Sequence, residues 1–437
     1  MSNAGDIPDT GDIPEAGRQH VVIVAYYFPP LGGSGVQRVA KWAKYLPQNG
    51  WDVTVLTVEP GSYFAFDQTL LDEVEAAGVR IIRTRSLDPT RIRGKRGAVR
   101  MPSERKRKLF TWLTGFFFLP DNKRGWMSHA RRAFNQVSDG AAVDLVLSSA
   151  PPYTSLRVGG ALAEYLDVPH VVDYRDDWID NPRHRYPTPL HKGWHQRQER
   201  SVIGGASAVL TINKSIADLL EQRHPGHKAC VLPQGFDPDD VPEFAKETGS
   251  RLRLTYSGMF YDAQQPDTML RAVAILKQRD PRLADILELR FVGLFPEEKR
   301  ALVEKLGLTD IVSFSGYVTH AESVSELMNA DVLWMIVGHQ KGEHMISTGK
   351  LHEYMGTRRP ILALAPEGEV RNALSGYDAC WTVLPDDAEG TASILATLLQ
   401  RHASGSLPIG NAKWIQQYDR RRQALILAKI LNTQVSS

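Results

Sequence analysis

The sequence predicts an α/β protein of two domains, each a doubly wound parallel sheet with its own helices. Three observations carry that prediction. Continuous apolar, β-branched runs recur along the chain, as in strands buried on both faces, and helix-period stretches separate many of them. Strands alternating with helices imply parallel βαβ units. The alternation stops at the turn-rich stretch 232–240 and then restarts, and 437 residues leave ample chain for two separate cores.

Residues 1–19 are acidic, rich in Gly and Pro and almost without large apolar groups, so they read as a flexible tail. The first strand is expected over 21–28, where Val21-Val22-Ile23-Val24 leads into Ala25-Tyr26-Tyr27-Phe28. The turn Pro29-Pro30-Leu31-Gly32-Gly33-Ser34-Gly35 follows, and a helix from Val36 to about Gln48 is ended by Asn49-Gly50. Further strands are expected over 52–58, 79–84, 145–149, 170–174, 208–212 and 229–232, with a helix over 67–77. After the break, strands are expected over 252–256, 287–292, 311–315, 332–337, 360–364 and 380–384, and a closing helix over 412–432. The expected domains are therefore 20–235 and 245–410, with 412–437 as a C-terminal helix. Ligands of open α/β sheets bind at the carboxyl ends of the strands, and two such domains side by side would leave a cleft there.

Composition excludes several other classes. Hydrophobic content of 42 % and charged content of 23 % are ordinary for a soluble globular chain, not for a collagen, a coiled coil or a mostly disordered protein. Cys230 and Cys380 are too few for a disulfide framework or a cysteine-rich zinc site, which points to a reducing, cytoplasmic compartment. The longest apolar candidate, 109–119, falls short of the roughly 18–20 residues of a membrane span. No secretory signal is expected at the N-terminus. The thirteen histidines never take H-E-x-x-H spacing, so neither a metal nor another cofactor is expected.

Four segments carry chemistry. Gly32-Gly33-Ser34-Gly35, between a strand and a helix, lets backbone N–H groups approach a phosphate. Arg38 stands where a dinucleotide fingerprint has its third glycine, and a tight turn without ligand is the alternative. Asp173-Tyr174-Arg175-Asp176-Asp177-Trp178 ends a strand. There Asp176 could orient or deprotonate a sugar hydroxyl and Arg175 could support phosphate charge, unless the group merely caps the sheet edge. Ser149 and Pro151, ending the preceding strand, suit a pocket wall, or else belong to an ordinary loop. Ser347-Thr348-Gly349-Lys350 opens a helix whose free N–H groups could take a diphosphate. Glu353 is spaced to grip a ribose, or else lies exposed on a capped helix. The stretch 91–126 places nine cations, from Arg91 to Lys108, before Phe110, Trp112, Phe116, Phe117, Phe118 and Trp126. Cations beside large apolar groups suit an anionic membrane surface, each near-surface charge contributing about 1 kcal/mol. Nucleic acid and a plain solvated loop are the competing readings, and nucleic acid is not expected as a partner.

Taken in order, these motifs resemble the GT-B glycosyltransferases, specifically the large retaining family 4 and its bacterial envelope-polysaccharide branch. The likeness rests on Phe28-Pro29-Pro30-x-Gly32-Gly33-x-Gly35 with Arg38; on Pro120-Asp121 and Gly125-Trp126; and on Ser148-Ser149-x-Pro151-Pro152. It rests further on Asp173-Tyr174-Arg175-Asp176-Asp177-Trp178, on Pro233-Gln234-Gly235-Phe236-Asp237, and on Gly349-Lys350-Leu351-His352-Glu353-Tyr354-Met355 before Pro360-Ile361-Leu362. The resemblance implies two Rossmann-like domains and a nucleotide-sugar donor held mainly by the second. Gly32, Gly33, Ser347, Thr348, Gly349, Glu353 and Gly258 would contact the donor, Ser149, Pro151 and Asp173 would lie on the acceptor side in the first domain, and the last helix would return to that domain. It also implies retention at the anomeric carbon and no metal for the chemistry. Two positions depart from the family pattern. Met345 stands where a second glutamate is usual, and the stretch after Tyr256-Ser257-Gly258 lacks the usual Arg and Lys phosphate clamp. Lys350, Arg175 or Arg38 would have to supply that charge.

The expected function is transfer of a sugar from a nucleoside-diphosphate sugar to a hydroxyl of an envelope glycan or lipid-linked acceptor. Catalysis is assigned to Asp176, Arg175 and Lys350, and the place to the cytoplasm or the inner membrane face. A nucleotide-sugar epimerase of the same fold, a nicotinamide oxidoreductase using Glu59, and a non-catalytic sugar-nucleotide or membrane-associated protein are the rivals.

Overall fold

The computed structural model describes residues 17–61, 63, 65–88, 115–116, 118–139, 142–181, 186–241, 249–260 and 263–436. Most of the expected tail and the cationic stretch 91–108 lie outside these residues. The chain divides into two units, one running to Pro233 and including Arg420–Ser437, the other Gln234–Asp419.

The first unit is a seven-stranded parallel sheet in the order β3-β2-β1-β4-β5-β6-β7. Its strands are β1 (Gln19–Val24), β2 (Trp51–Val58), β3 (Arg80–Thr84), β4 (Leu145–Ala150), β5 (His170–Tyr174), β6 (Ala208–Thr211) and β7 (Ala229–Val231). The near-continuous burial of β1, β4 and β5 accounts for the unbroken apolar runs at those places in the sequence. The strand order reverses between β1 and β4, so the loops after β1, β4 and β5 converge at one switch point. The first strand is shorter than expected. Val24 ends it, because the Tyr26 N–H turns from the sheet to Ser155 Oγ at 3.3 Å.

Four helices of this unit position the residues of interest: α1 (Ser34–Tyr45), α2 (Met127–Arg132), α3 (Thr154–Leu166) and α4 (Pro189–Gly204). Val36, Val39, Ala40 and Ala43 of α1 join the core with Val21, Ile23, Val53 and Val55. Such a stripe recurring every three to four residues is the mark of a helix lying on a sheet.

The second unit is a six-stranded parallel sheet in the order β10-β9-β8-β11-β12-β13. Its strands are β8 (Leu252–Ser257), β9 (Leu287–Val292), β10 (Val312–Gly316), β11 (Val332–Ile336), β12 (Ile361–Leu364) and β13 (Cys380–Val383). Helix α5 (Gly349–Gly356) buries Leu351, Tyr354 and Met355 against Leu333, Met335 and Ile361. Gly356 makes that packing possible, since a Cβ there would lie 2.6 Å from the Phe236 ring.

The closing segment is not the single helix expected over 412–432. Ala412–Ile415 is helical, Gln416–Tyr418 is a 3-10 turn, and Asp419 is extended (φ −69°, ψ 121°) before α6 (Arg420–Val435) begins. Phe236 causes the break. Its N–H donates to Tyr418 O at 2.9 Å, and the two residues Phe236 and Asp419 form a parallel bridge that no helix could supply. Leu427, Ala428 and Leu431 of α6 lie in the core of the first unit. No helix among the described residues is long and apolar enough to cross a membrane.

Candidate functional site

In the first unit the carboxyl ends of β1, β4 and β5 are tied together by one side chain. Arg175 donates from Nε to Ala150 O at 2.9 Å, from Nη1 to Gly35 O at 2.7 Å and from Nη2 to Pro151 O at 3.3 Å. The expected phosphate cation is thus the clasp of three loops. Gly33 starts α1 at φ 97°, a conformation that favours glycine, and Gly32 is packed against Ala65 and Asp67.

Beneath the clasp lies a buried charge pair. Asp173 accepts from Arg38 Nη2 at 3.0 Å and from Ser149 Oγ at 2.7 Å, and both charged side chains are 0 % exposed. Arg38 also donates to Leu232 O at 2.9 Å and Pro233 O at 2.8 Å, and its guanidinium covers the Trp42 ring. Burial lowers the Arg38 pKa, and Asp173 only partly opposes it. Asp173 and Ser149, expected on the acceptor side, therefore hold the sheet end from within. Arg38 is not available as a phosphate clamp.

The rest of the aspartate cluster divides in the same way. Asp177 is bound by Arg223 at 2.6 and 3.0 Å and caps the N–H groups of Ile179 and Asp180. Trp178 stacks on Tyr153 with ring centroids 4.4 Å apart and donates to His195 Nδ1. Asp176 differs. It is partly exposed, and its carboxylate accepts no hydrogen bond among the described residues. The Asp237-Pro238-Asp239 stretch is local, with Asp237 Oδ1 accepting from Asp239 N at the start of a 3-10 turn.

In the second unit the site builds around α5 and the end of β8. Thr348 caps α5, its Oγ accepting from Lys350 N at 3.2 Å. The N–H groups of Ser347, Thr348 and Gly349 donate to nothing among the described residues, which leaves the positive end of the helix open. The Lys350 ammonium sits 3.8 Å from the centroid of the Tyr256 ring. It has no carboxylate and no hydrogen-bond acceptor among the described residues. The ammonium is enclosed, and burial pulls its pKa down to about 7 although nearby Glu353 pulls it up. Gly258, at φ 119°, makes the space, because a Cβ there would stand 3.1 Å from Lys350 Cε and Nζ. Glu353 lies one turn along, partly exposed, its carboxylate without a hydrogen-bond partner among the described residues.

The structure thus brings together Lys350, Gly258, Ser347, Thr348, Gly349 and Glu353, while the nearby-in-sequence Glu343 is engaged by other partners. Glu343 accepts from Gln340 N at 2.6 Å, pairs with His339 Nδ1 at 3.1 Å and raises the His339 pKa. Tyr256 was not read from the sequence as a site residue. Its only sequence signal is an aromatic side chain at the end of a buried strand. It forms the floor under Lys350, and a ring face steadies a cation most where water is excluded.

An unpaired, enclosed cation beside open helix N–H groups and two glycines has the chemistry to receive an anion that carries its own acceptors. Part of the chain, and its fold, are similar to known proteins. Residues 32–235 match the Glycosyl transferase 4-like domain family. A curated relative from Actinosynnema mirum, a D-inositol 3-phosphate glycosyltransferase, is 24 % identical over 53 % of this chain and 58 % of its own length. The chain spans less than two thirds of the length of the curated relatives it matches. Sucrose-phosphate synthase from Thermosynechococcus elongatus has a TM-score of 0.62 at 14 % identity, over 96 % of this chain and all of that one. Anabaena HepE in complex with UDP has a TM-score of 0.60 at 15 % identity, over 95 % of this chain and all of that one. Residues 32–235 are thus similar to a glycosyltransferase 4-like domain, and the two parallel α/β units share the GT-B fold of these structures.

Proposed function

We propose that the protein transfers a sugar from a nucleoside-diphosphate sugar, with UDP as the nucleotide, to an acceptor hydroxyl. The observation that carries this reading is the unpaired Lys350 ammonium at the start of α5. The diphosphate would meet Lys350 and the N–H groups of Ser347, Thr348 and Gly349, and the Glu353 carboxylate would accept hydrogen bonds from the two ribose hydroxyls. As the anomeric C–O bond to phosphate lengthens, negative charge grows on the diphosphate, and these donors stabilise it without reorganising. The HepE structures, solved with UDP and with UDP-glucose, support UDP as the nucleotide.

Asp176 is proposed to orient the acceptor hydroxyl. Retention would follow if the departing phosphate oxygen took the acceptor proton on the face it leaves. An acceptor on an envelope glycan or a lipid carrier, met at a membrane surface through the cationic stretch 91–108, completes the proposal.

Calorimetric titration with UDP, UDP-glucose, GDP and NAD tests it. Binding of UDP and UDP-glucose is expected, with Glu353→Ala weakening both at least about tenfold through loss of two hydrogen bonds to a charged acceptor. Binding of NAD alone, or an unchanged dissociation constant in Glu353→Ala, would sink the assignment. Asp176→Asn is expected to leave UDP affinity within about twofold while lowering kcat by on the order of 10²-fold, the cost of losing the orientation of a reacting group. Equal turnover of variant and parent in a radiolabelled transfer assay would remove Asp176 from the reaction.

A further inference from the structure

The first unit holds a cavity of about 850 Å³ between α3 and α4, floored by the start of β5. Its α3 wall is a helical stripe, Arg157, Gly160, Ala161 and Glu164, spaced i, i+3, i+4, i+7 so that all face one way. The strands enter the sheet here, so this is not the end where Gly33, Arg175 and Asp176 lie.

Three features distinguish it from an ordinary surface groove. Arg157 and Arg131 both line it, and neither guanidinium has an ion pair or hydrogen bond among the described residues. Arg157 is half-buried, with its guanidinium 5.7 Å from the Trp194 ring centroid. Burial and the positive charges of Arg124 and Arg131 lower its pKa against the weaker pull of Asp121. His170, 6 % exposed, is on the floor. Its Nε2 meets Ser148 Oγ at 2.7 Å, while Nδ1 has no partner among the described residues. Burial lowers the His170 pKa to about 4, so the ring is neutral and polar, not a third cation. Gly160 keeps that nitrogen reachable. A Cβ at 160 would meet His170 Nδ1 at an ordinary 3.6 Å, so packing does not demand glycine in mid-helix, where it costs about 1 kcal/mol relative to alanine.

Charge along the cavity is segregated. Arg157 and Arg131 stand at one end, and Glu164 and Asp167 at the other, two helical turns or about 10 Å along α3. A simple anion would use only the first end, and a cation would be repelled from it. We propose that this cavity binds a phosphorylated sugar or polyol, its phosphate on Arg131 and Arg157 and its hydroxyls on His170, Gln198 and the carboxylate end. It is an effector site on the back of the first unit, independent of the donor reading.

Glucose 6-phosphate, glucose and inorganic phosphate, each titrated into the full chain by calorimetry, test the proposal. Glucose 6-phosphate is expected to bind at least about tenfold tighter than either fragment alone. Arg157→Ala and Gly160→Met, the one removing the anion partner and the other filling the floor, should each weaken it at least about tenfold. Lys350→Met should leave it unchanged. Absence of glucose 6-phosphate binding at millimolar concentration, equal binding of inorganic phosphate, or unaltered affinity in both cavity variants would overturn the proposal. Loss of binding in Lys350→Met would overturn it too, by showing that the sugar phosphate enters the nucleotide site.

Discussion

Asp173→Ala is expected to lower the stability of the first unit by roughly 3–5 kcal/mol, the cost of leaving a buried charge without its partner. Arg38 would remain wholly enclosed, with only the Leu232 and Pro233 carbonyls to satisfy it. Ser149 Oγ would lose its acceptor as well. For a unit of this size the midpoint of thermal unfolding should fall by on the order of 10 °C. The double variant Arg38→Met with Asp173→Leu should recover most of that loss, because an apolar pair of similar volume avoids the desolvation cost of both ions. Differential scanning calorimetry of the three proteins decides it. A midpoint for Asp173→Ala within about 2 °C of the parent would mean that Arg38 finds water or another partner, and the buried pair would not be the organiser of this sheet end.

The contrast between Arg38, Arg175 and Lys350 explains how far the sequence could be read. Among the described residues the thirteen strands overlap the stretches expected for them, most plainly the central β4, β5 and β11, because parallel strands covered on both faces leave no polar alternation to confuse the pattern. The candidate cations were legible as residues at strand and helix ends, but their employment was not. A charge at the end of a parallel strand can face a ligand, a neighbouring carbonyl or a buried counter-ion, and all three outcomes read alike in one dimension. Arg175 took the carbonyls, Arg38 took Asp173, and Lys350 took none of these. The Tyr256 ring that carries Lys350 comes from a strand far earlier in the chain, so no local spacing could reveal it. The break at Asp419 was hidden for a similar reason. The residue that causes it, Phe236, is distant in sequence and adjacent only in the fold.

Lys350→Met is expected to weaken UDP and UDP-glucose binding by about 10–100-fold while leaving the unliganded protein as stable as the parent or more so. The two effects have opposite signs for one reason. Without ligand the ammonium is enclosed beside an aromatic face with no anion near enough to pair, so its charge opposes folding. With a diphosphate in place the same charge forms charge-assisted hydrogen bonds, which contribute about 1.5–3 kcal/mol. The pH dependence follows from the lowered pKa of about 7 in the free protein. Below pH 7 the lysine is already protonated, and binding takes up no proton. Above pH 7 it is largely neutral, the diphosphate restores its pKa, and binding draws a proton from solution. Donor affinity should therefore fall as pH rises from 7 toward 9, by up to about tenfold per unit. Calorimetry in buffers of different ionisation enthalpy should record close to one proton taken up per UDP at pH 8.5, and none in Lys350→Met. The stability of the free parent protein should rise over the same interval, because unfolding there returns the lysine to its ordinary, higher pKa and takes up a proton. Equal proton uptake in parent and variant would place the titrating group elsewhere, and the diphosphate with it.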